Sequence, residues 1–241
     1  LIMIGITERG DGGLDFSWVS KLQYVDGAVI ISKNCNDDLI DNLILNKEKI
    51  IFHSTITGLG GTLYEPNVPK IEYSFKQIQK LIDKGFPKNQ IVIRIDPIFP
   101  ELDFYSIISP ILEFCTNNEL NRIRFSFFDL YPHVVDRFKS KNIPLPQKKF
   151  YADTNSINNT ILYFNQYKNL FFEACGEYIN DNENVIKRGC ISNHDYDILN
   201  IPFKLERNTF QRKTCSCVNK VELLSNKKRC SHKCIYCYWK D

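Results

Sequence analysis

Short apolar runs recur along the chain, and between them lie stretches with the period of an amphipathic helix. Met3-Ile4-Gly5-Ile6-Thr7 runs into the glycine-rich segment Gly10-Asp11-Gly12-Gly13 and reads as a strand entering a loop. Residues 16–24 read as a short helix. Gly27-Ala28-Val29-Ile30-Ile31 is a second buried strand, with Ser32-Lys33-Asn34 at its C-terminal end and a helix predicted over 38–45. A third strand over 49–57 empties into Gly58-Leu59-Gly60-Gly61. Phe75, Ile78, Leu81 and Ile82 share one face of a helix that Gly85 closes. Further strands are predicted over 90–96, 122–128, 170–174 and 221–224, and helices over 104–115 (bent at Pro110) and 155–167. Pro144-Leu145-Pro146 marks a surface loop.

Strands alternating with helices in this rhythm indicate parallel βαβ units, and the simplest closure of seven such strands is a partial (β/α) barrel. Barrels of this kind carry their sites at the C-terminal ends of the strands. Thr7, Lys33, Ser54, Arg94 and Asp96 would meet there.

The chain has 241 residues, enough for one sizeable core. We expect a single domain over 1–241, with barrel elements over 1–174 and a cysteine-rich segment over 175–241. No apolar run approaches the length of a membrane span, and residues 1–6 do not resemble a secretion signal. The nine cysteines are densest near the end, at C-x-C and C-x3-C-x2-C, which favours metal binding in a reducing compartment over a disulfide framework. The expected location is cytoplasmic, with no membrane partner. Residues 204–241 hold ten Lys and Arg against three Asp and Glu, although the whole chain is only +3. This basic segment reads equally as a solvated tail, as a counter-charge to bound thiolates, or as an attraction for a phosphate-bearing partner.

The C-x3-C-x2-C loop is Cys230-Ser231-His232-Lys233-Cys234-Ile235-Tyr236-Cys237. On spacing alone it suits a zinc knuckle, with His232 or an upstream cysteine as fourth ligand, as well as an iron–sulfur cluster. Cys35 and Cys115 fall in or beside predicted helices and read as inert filler.

Arg229-Cys230-Ser231-His232-Lys233-Cys234-Ile235-Tyr236-Cys237-Tyr238 resembles the cluster signature of the spore photoproduct lyase branch of the radical S-adenosylmethionine (SAM) superfamily. It is similar also to an uncharacterised bacterial and phage family that ends in C-x-C, a spacer, and C-x3-C-x2-C-Y. Ile4-Gly5-Ile6-Thr7, Ser32-Lys33-Asn34, Ser54-Thr55-Ile56-Thr57 and Tyr64-Glu65-Pro66-Asn67-Val68-Pro69 resemble later segments of the same branch in barrel order. The resemblance implies a partial (β/α) barrel of the radical SAM type, circularly permuted so that the cluster loop is C-terminal. It implies a 4Fe-4S cluster on Cys230, Cys234 and Cys237, with the fourth iron open to SAM. Reductive cleavage of SAM would release a 5′-deoxyadenosyl radical, and an electron donor such as flavodoxin or ferredoxin is a partner. Tyr236 would complete the cluster loop, Lys33 would hold the SAM carboxylate, and the segment from Thr7 would line the methionine part. Ser54 and Asp96 would contact ribose hydroxyls, and Arg94 would pair with a carboxylate. A nucleobase or nucleic acid is the substrate class suggested.

Cys175, Cys190, Cys215 and Cys217 resemble cysteines in similar contexts of the uncharacterised family, in Cys175-Gly176-Glu177, Gly189-Cys190-Ile191 and Gln211-Arg212-Lys213-Thr214-Cys215-Ser216-Cys217. We read them as a second site for a 4Fe-4S cluster or zinc. Iron–sulfur is preferred, because the first site already requires cluster assembly. The alternative function is a non-catalytic zinc or iron–sulfur protein that binds nucleic acid through its basic C-terminal segment.

Overall fold

In the computed structural model, which describes residues 3–202, 204, 206–208, 212–225 and 230–239, the apolar runs form strands and the amphipathic stretches form helices. The strands are β1 (Ile4–Ile6), β2 (Gly27–Ser32), β3 (Ile50–Thr55), β4 (Ile91–Ile98), β5 (Arg122–Phe127), β6 (Phe171–Ala174), β7 (Val185–Lys187) and β8 (Val221–Glu222). The helices are α1 (Asp37–Leu45), α2 (Ile71–Asp83), α3 (Phe104–Asn117), α4 (Pro132–Ser140), α5 (Thr154–Phe164) and α6 (Asn193–Ile198). Residues predicted as a short helix near the start are a 3-10 turn, Val19–Tyr24. Three elements were not predicted: α4, β7 and α6.

All eight strands form one parallel sheet in the order β7-β6-β5-β4-β3-β2-β1-β8. Strand order therefore follows chain order, except that β8 returns to lie beside β1, with Gly5 opposite Val221. The sheet is not closed: β7 and β8 are its two edges. Consecutive parallel neighbours joined by right-handed crossovers place their helices on one side, and the core records this. Ala28, Ile30, Phe52, Ile93 and Phe125 pack under Leu39, Leu43, Ile78, Leu81, Ile108, Leu112 and Phe164. The alternate residues Ile4, Ile6, Val29, Ile31, Ile51 and Val92 face the other way, against Ile191, Tyr196 and three of the cysteines. Strands buried on both faces read as continuous apolar runs, which is why they were visible in the sequence.

Local chemistry sets the helix ends. The Asn36 side chain accepts from the Leu39 amide at 2.8 Å and caps α1, an interaction worth about 1 kcal/mol. Gly85, at φ 84°, lies just beyond α2 and donates to the Ile82 carbonyl at 2.8 Å, the left-handed ending that glycine adopts without strain. No helix among the described residues is long and apolar enough to cross a membrane.

The face opposite α1, α2, α3 and α5 also holds a buried charged layer. Glu173 on β6 accepts from Arg122 at 3.2 Å and Arg188 at 2.5 Å, and it pairs with Arg124. Arg122 reaches on to Asp195 of α6 at 2.7 Å. Burial alone would raise the Glu173 carboxyl, but Arg124, Arg122 and Arg188 together push it down to about 2. A buried carboxylate of this kind exists only because the cations surround it.

Candidate functional site

Lys33 directly follows β2, Thr57 lies just past β3, and Asp96 is near the C-terminal end of β4. The cysteine loop packs over these strand ends. Its backbone is tied to the segment after β3: the Ile235 amide donates to the Tyr64 carbonyl at 3.0 Å, and the Asn67 side-chain amide donates to the Ser231 carbonyl at 2.7 Å. From the other side α4 holds it, with Arg137 donating to the Cys237 carbonyl and the His133 ring 2.8 Å from the Tyr238 carbonyl. Cys234, Ile235 and Tyr236 belong to a separate apolar cluster with Leu59, Phe99, Phe128, Val134 and Phe138. The Tyr236 ring meets Phe99 edge-on, with centroids 5.3 Å apart.

At the centre is a buried carboxylate. Glu65 is 1% exposed and Lys33 is 16% exposed, and their charged groups are 2.7 Å apart. The Lys33 ammonium also donates to the Tyr236 hydroxyl at 2.9 Å, and that hydroxyl in turn donates to Glu65. Thr57 supplies another hydrogen bond to Glu65 at 2.8 Å. Burial alone would raise the Glu65 carboxyl; Lys33, Tyr236 and Thr57 more than offset it, and the net direction is down. For Lys33, burial acts against the charge, and Glu65, Cys234 and Asp96 more than restore it, so the ammonium is held. An ammonium has three donor hydrogens, and these contacts engage two of them.

The cysteines of the loop lie within electrostatic reach of one another. Burial first, then Asp11 and Cys237, push the Cys230 thiol up to about 11, with a His232 backbone hydrogen bond acting against them. Burial, with Glu65, Cys237 and Cys230, pushes Cys234 up to about 12 against the pull of Lys33. Thiols crowded in this way become thiolates readily only with a cation among them. His232 is already engaged: its Nε2 lies 2.7 Å from the Asp11 carboxylate and its Nδ1 lies 3.2 Å from the Asn67 carbonyl. Asp11 also accepts from Ser32 at 2.6 Å and from the Lys33 amide at 2.7 Å. One carboxylate thus fastens the glycine-rich loop, the end of β2 and the cysteine loop together. As they stand, no three or more His, Cys, Asp or Glu side chains among the described residues are arranged to hold a metal ion.

Arg94 and Asp96, two apart on β4, form an ion pair on the face opposite the main helices, and Ser126 donates to Asp96. Burial opposes the Arg94 charge, and Asp96 with the Cys190 and Cys175 sulfurs more than restores it. Arg94 Nε, the Thr55 hydroxyl and both ring nitrogens of His53 are buried with no hydrogen-bond partner among the described residues. His53 and Thr55 alternate on β3, and Thr55 is opposite Arg94, so these unsatisfied groups face one side. Glu177 accepts from the Phe127 amide at 2.8 Å and holds its proton more tightly than an ordinary carboxyl: burial first, with Asp129 and Asp96, pushes it up to about 7.

The family described as a domain of unknown function, DUF1848, matches residues 16–239. The chain belongs to the DUF1848 family. No curated protein matches it.

In this DUF1848 chain Lys33, Arg94, Asp96, Tyr236 and the three cysteines of the loop come together. Thr7 and Ser54 do not join them. The Thr7 hydroxyl accepts from the Ile31 amide at 2.8 Å and donates to the Ile31 carbonyl at 3.3 Å, so it clasps β1 to β2. Ser54 alternates with Ile50 and Phe52, which places it on the helix-covered face of the sheet. Cys175, Cys190, Cys215 and Cys217 do meet, on the opposite face; Cys175 and Cys190 have their sulfurs 3.2 Å apart. Cys35 and Cys115 are buried in the helix-side core. Of the segments quoted for the second cysteine set, Gln211 lies outside the described residues, as does Arg229 of the first. Glu65 and Asp11 have roles that residue-by-residue reading missed. The available signal was an acidic residue flanked by glycines, in Gly10-Asp11-Gly12-Gly13, and a single acidic residue between Gly61 and Pro69.

Proposed function

We propose that this DUF1848 chain is a radical SAM enzyme. One observation carries the reading: the C-x3-C-x2-C loop with its Tyr236 sits over the C-terminal ends of parallel strands, directly against a part-buried lysine that those strands present. An open sheet in sequential order, with β8 beside β1, is the arrangement expected of a permuted partial barrel. The donor set suits an iron–sulfur cluster held by three thiolates, since one loop supplies three cysteines and the nearest histidine is committed to Asp11. When bound, the cluster would supply an open iron for the amino and carboxylate groups of SAM and the electron that breaks its carbon–sulfur bond.

The chain's own residues orient and shield. Cys230, Cys234 and Cys237 would hold the cluster. Glu65 and Tyr236 fix the Lys33 ammonium in direction, and its third donor hydrogen serves a substrate carboxylate, a point-charge contact suited to lysine. Arg94 Nε and the Thr55 hydroxyl are unsatisfied donors on the same side of the sheet and would take polar groups of a bound ligand. Tyr236, backed edge-on by Phe99, lies against the lysine–glutamate pair. The competing zinc-knuckle reading loses its nearest fourth ligand, because His232 is held by Asp11 and Asn67.

Anaerobic reconstitution with iron and sulfide, followed by incubation with SAM and dithionite, should yield 5′-deoxyadenosine. Cys230→Ala, Cys234→Ala and Cys237→Ala should each abolish it. Full production by the triple alanine variant, or none by the reconstituted parent, would end this reading.

A further inference from the structure

Three separate segments bring four thiols to the face of the sheet opposite α1, α2, α3 and α5. Cys175 follows β6, Cys190 follows β7, and Cys215 and Cys217 precede β8. The Cys175 and Cys190 sulfurs are 3.2 Å apart, the Cys190 amide donates to the Cys217 sulfur at 3.2 Å, and the Cys217 amide donates to the Cys215 sulfur at 3.5 Å. Backbone amides aimed at sulfur favour thiolate over thiol. The approach is close enough to require glycine: a Cβ on Gly189 would lie 2.4 Å from the Cys217 nitrogen. Around the sulfurs stand four cations. Arg94 and Arg124 feel Cys175 and Cys190, Arg212 feels Cys175, and Lys220 feels Cys217 and Cys190.

We propose that Cys175, Cys190, Cys215 and Cys217 form a second metal site that takes a single tetrahedral zinc ion. A zinc–sulfur bond of about 2.3 Å places tetrahedral ligand sulfurs about 3.8 Å apart. The observed contact of 3.2 Å is close to that spacing, and small side-chain rotations reach it. A four-iron cube binds each thiolate through a different iron and spreads them well beyond contact, so the separation reverses the sequence-based preference for iron–sulfur. Four thiolates around one divalent cation leave a net charge of −2, stabilised by the two backbone amides aimed at sulfur and by the nearby basic side chains. Each of these also keeps its own carboxylate: Arg94 with Asp96, Arg124 with Glu173, Arg212 with Asp129 and Lys220 with Glu8. The thiol protons leave to solvent on binding, with no change of oxidation state. The position explains the use: β7 and β8 are the unpaired edges, and the site joins the segment after one to the segment before the other. It acts as a clamp across the opening of the sheet, and it is independent of SAM chemistry.

The test is metal analysis of the full chain with Cys230, Cys234 and Cys237 all replaced by alanine, purified without added chelator. About one zinc per chain is expected, the stoichiometry of a four-thiolate site. Growth with cobalt should give the visible absorption of a cobalt tetrathiolate. Titration with an organomercurial should release the zinc in step with thiol modification, a readout that does not depend on any further variant folding. Adding Cys215→Ser and Cys217→Ser should remove the zinc. A folded triple variant that carries no metal, that carries iron with sulfide instead, or that contains a Cys175–Cys190 disulfide would overturn the proposal. So would zinc retained after the added substitutions. Loss of 5′-deoxyadenosine formation in the parent would bear only on the preceding reading.

Discussion

Replacing Glu65 with glutamine removes one charge and leaves the side-chain shape almost unchanged. Lys33, only 16% exposed, then keeps its positive charge without its main partner. Breaking a buried ion pair from one side costs about 3–5 kcal/mol, because the remaining charge stays out of water. Lys33 also feels Asp96 and Cys234, and the glutamine oxygen still accepts one hydrogen bond, so the lower end, about 3 kcal/mol, is expected. For a chain of this size that corresponds to a fall in Tm of about 6–12 °C. Thermal unfolding followed by circular dichroism at neutral pH measures it. The double variant Glu65→Gln with Lys33→Met removes both charges and should recover most of the loss. The pH dependence has a defined sign. The Glu65 carboxyl is lowered on folding, so its contribution is complete above the unfolded value near about 4.3 and is lost as pH falls through the folded value. The Lys33 ammonium is raised, so its contribution is complete below about 10.4 and is lost as pH rises through the folded value. Parent and variant should therefore differ most between those limits and converge at acid pH. A Tm for Glu65→Gln within a degree of the parent across that window would refute the pairing.

Other substitutions probe the remaining parts. Lys33→Ala should weaken SAM binding by about 1.5–3 kcal/mol, the range for a charged hydrogen bond, with iron content unchanged; equal affinity by calorimetry would remove the residue from the site. Glu173→Gln removes the carboxylate shared by Arg122, Arg124 and Arg188, of which Arg122 keeps Asp195, and should destabilise the fold by about 3–5 kcal/mol. Because the parent carboxyl is pushed down to about 2, the stability it provides should persist above about 4.3 and disappear as pH falls toward 2; an acid-unfolding profile identical in parent and variant would contradict this. Gly189→Ala puts a methyl against the Cys217 backbone and should cost about 1–3 kcal/mol while lowering the affinity of the second site for zinc, both measurable on one preparation.

Most strands were readable because both of their faces are covered, so the apolar signal is continuous and needs no knowledge of neighbours. The same signal fails for β7, a three-residue edge strand, and for α4, which opens on Pro132 and runs nine residues. Yet α4 carries Arg137 and His133, which grip the cysteine loop. The cysteines announced themselves by spacing or context. Glu65 and Asp11 did not, since each acquires its role from partners such as Tyr236 and His232, which lie 171 and 221 residues away in the chain. Thr7 and Ser54 were placed correctly at strand ends, but side-chain direction there depends on register, which one residue of offset inverts.

The pairing of β8 with β1 has a consequence in time. Translation proceeds at about 5–20 residues per second, and 171 residues separate Glu65 from Tyr236. The carboxylate is therefore made about 9–34 s before the hydroxyl that meets it can exist. Small domains fold within about a second or less, so β1 to β6 and their helices can begin to assemble while the cysteine loop is still unmade. The loop would then close onto strand ends whose lysine and glutamate have already been made. Under the radical SAM reading, a ribosome that stalls before Cys230 would leave a sheet without the three thiols proposed to hold the cluster, while the four thiols proposed for the second site would already be made.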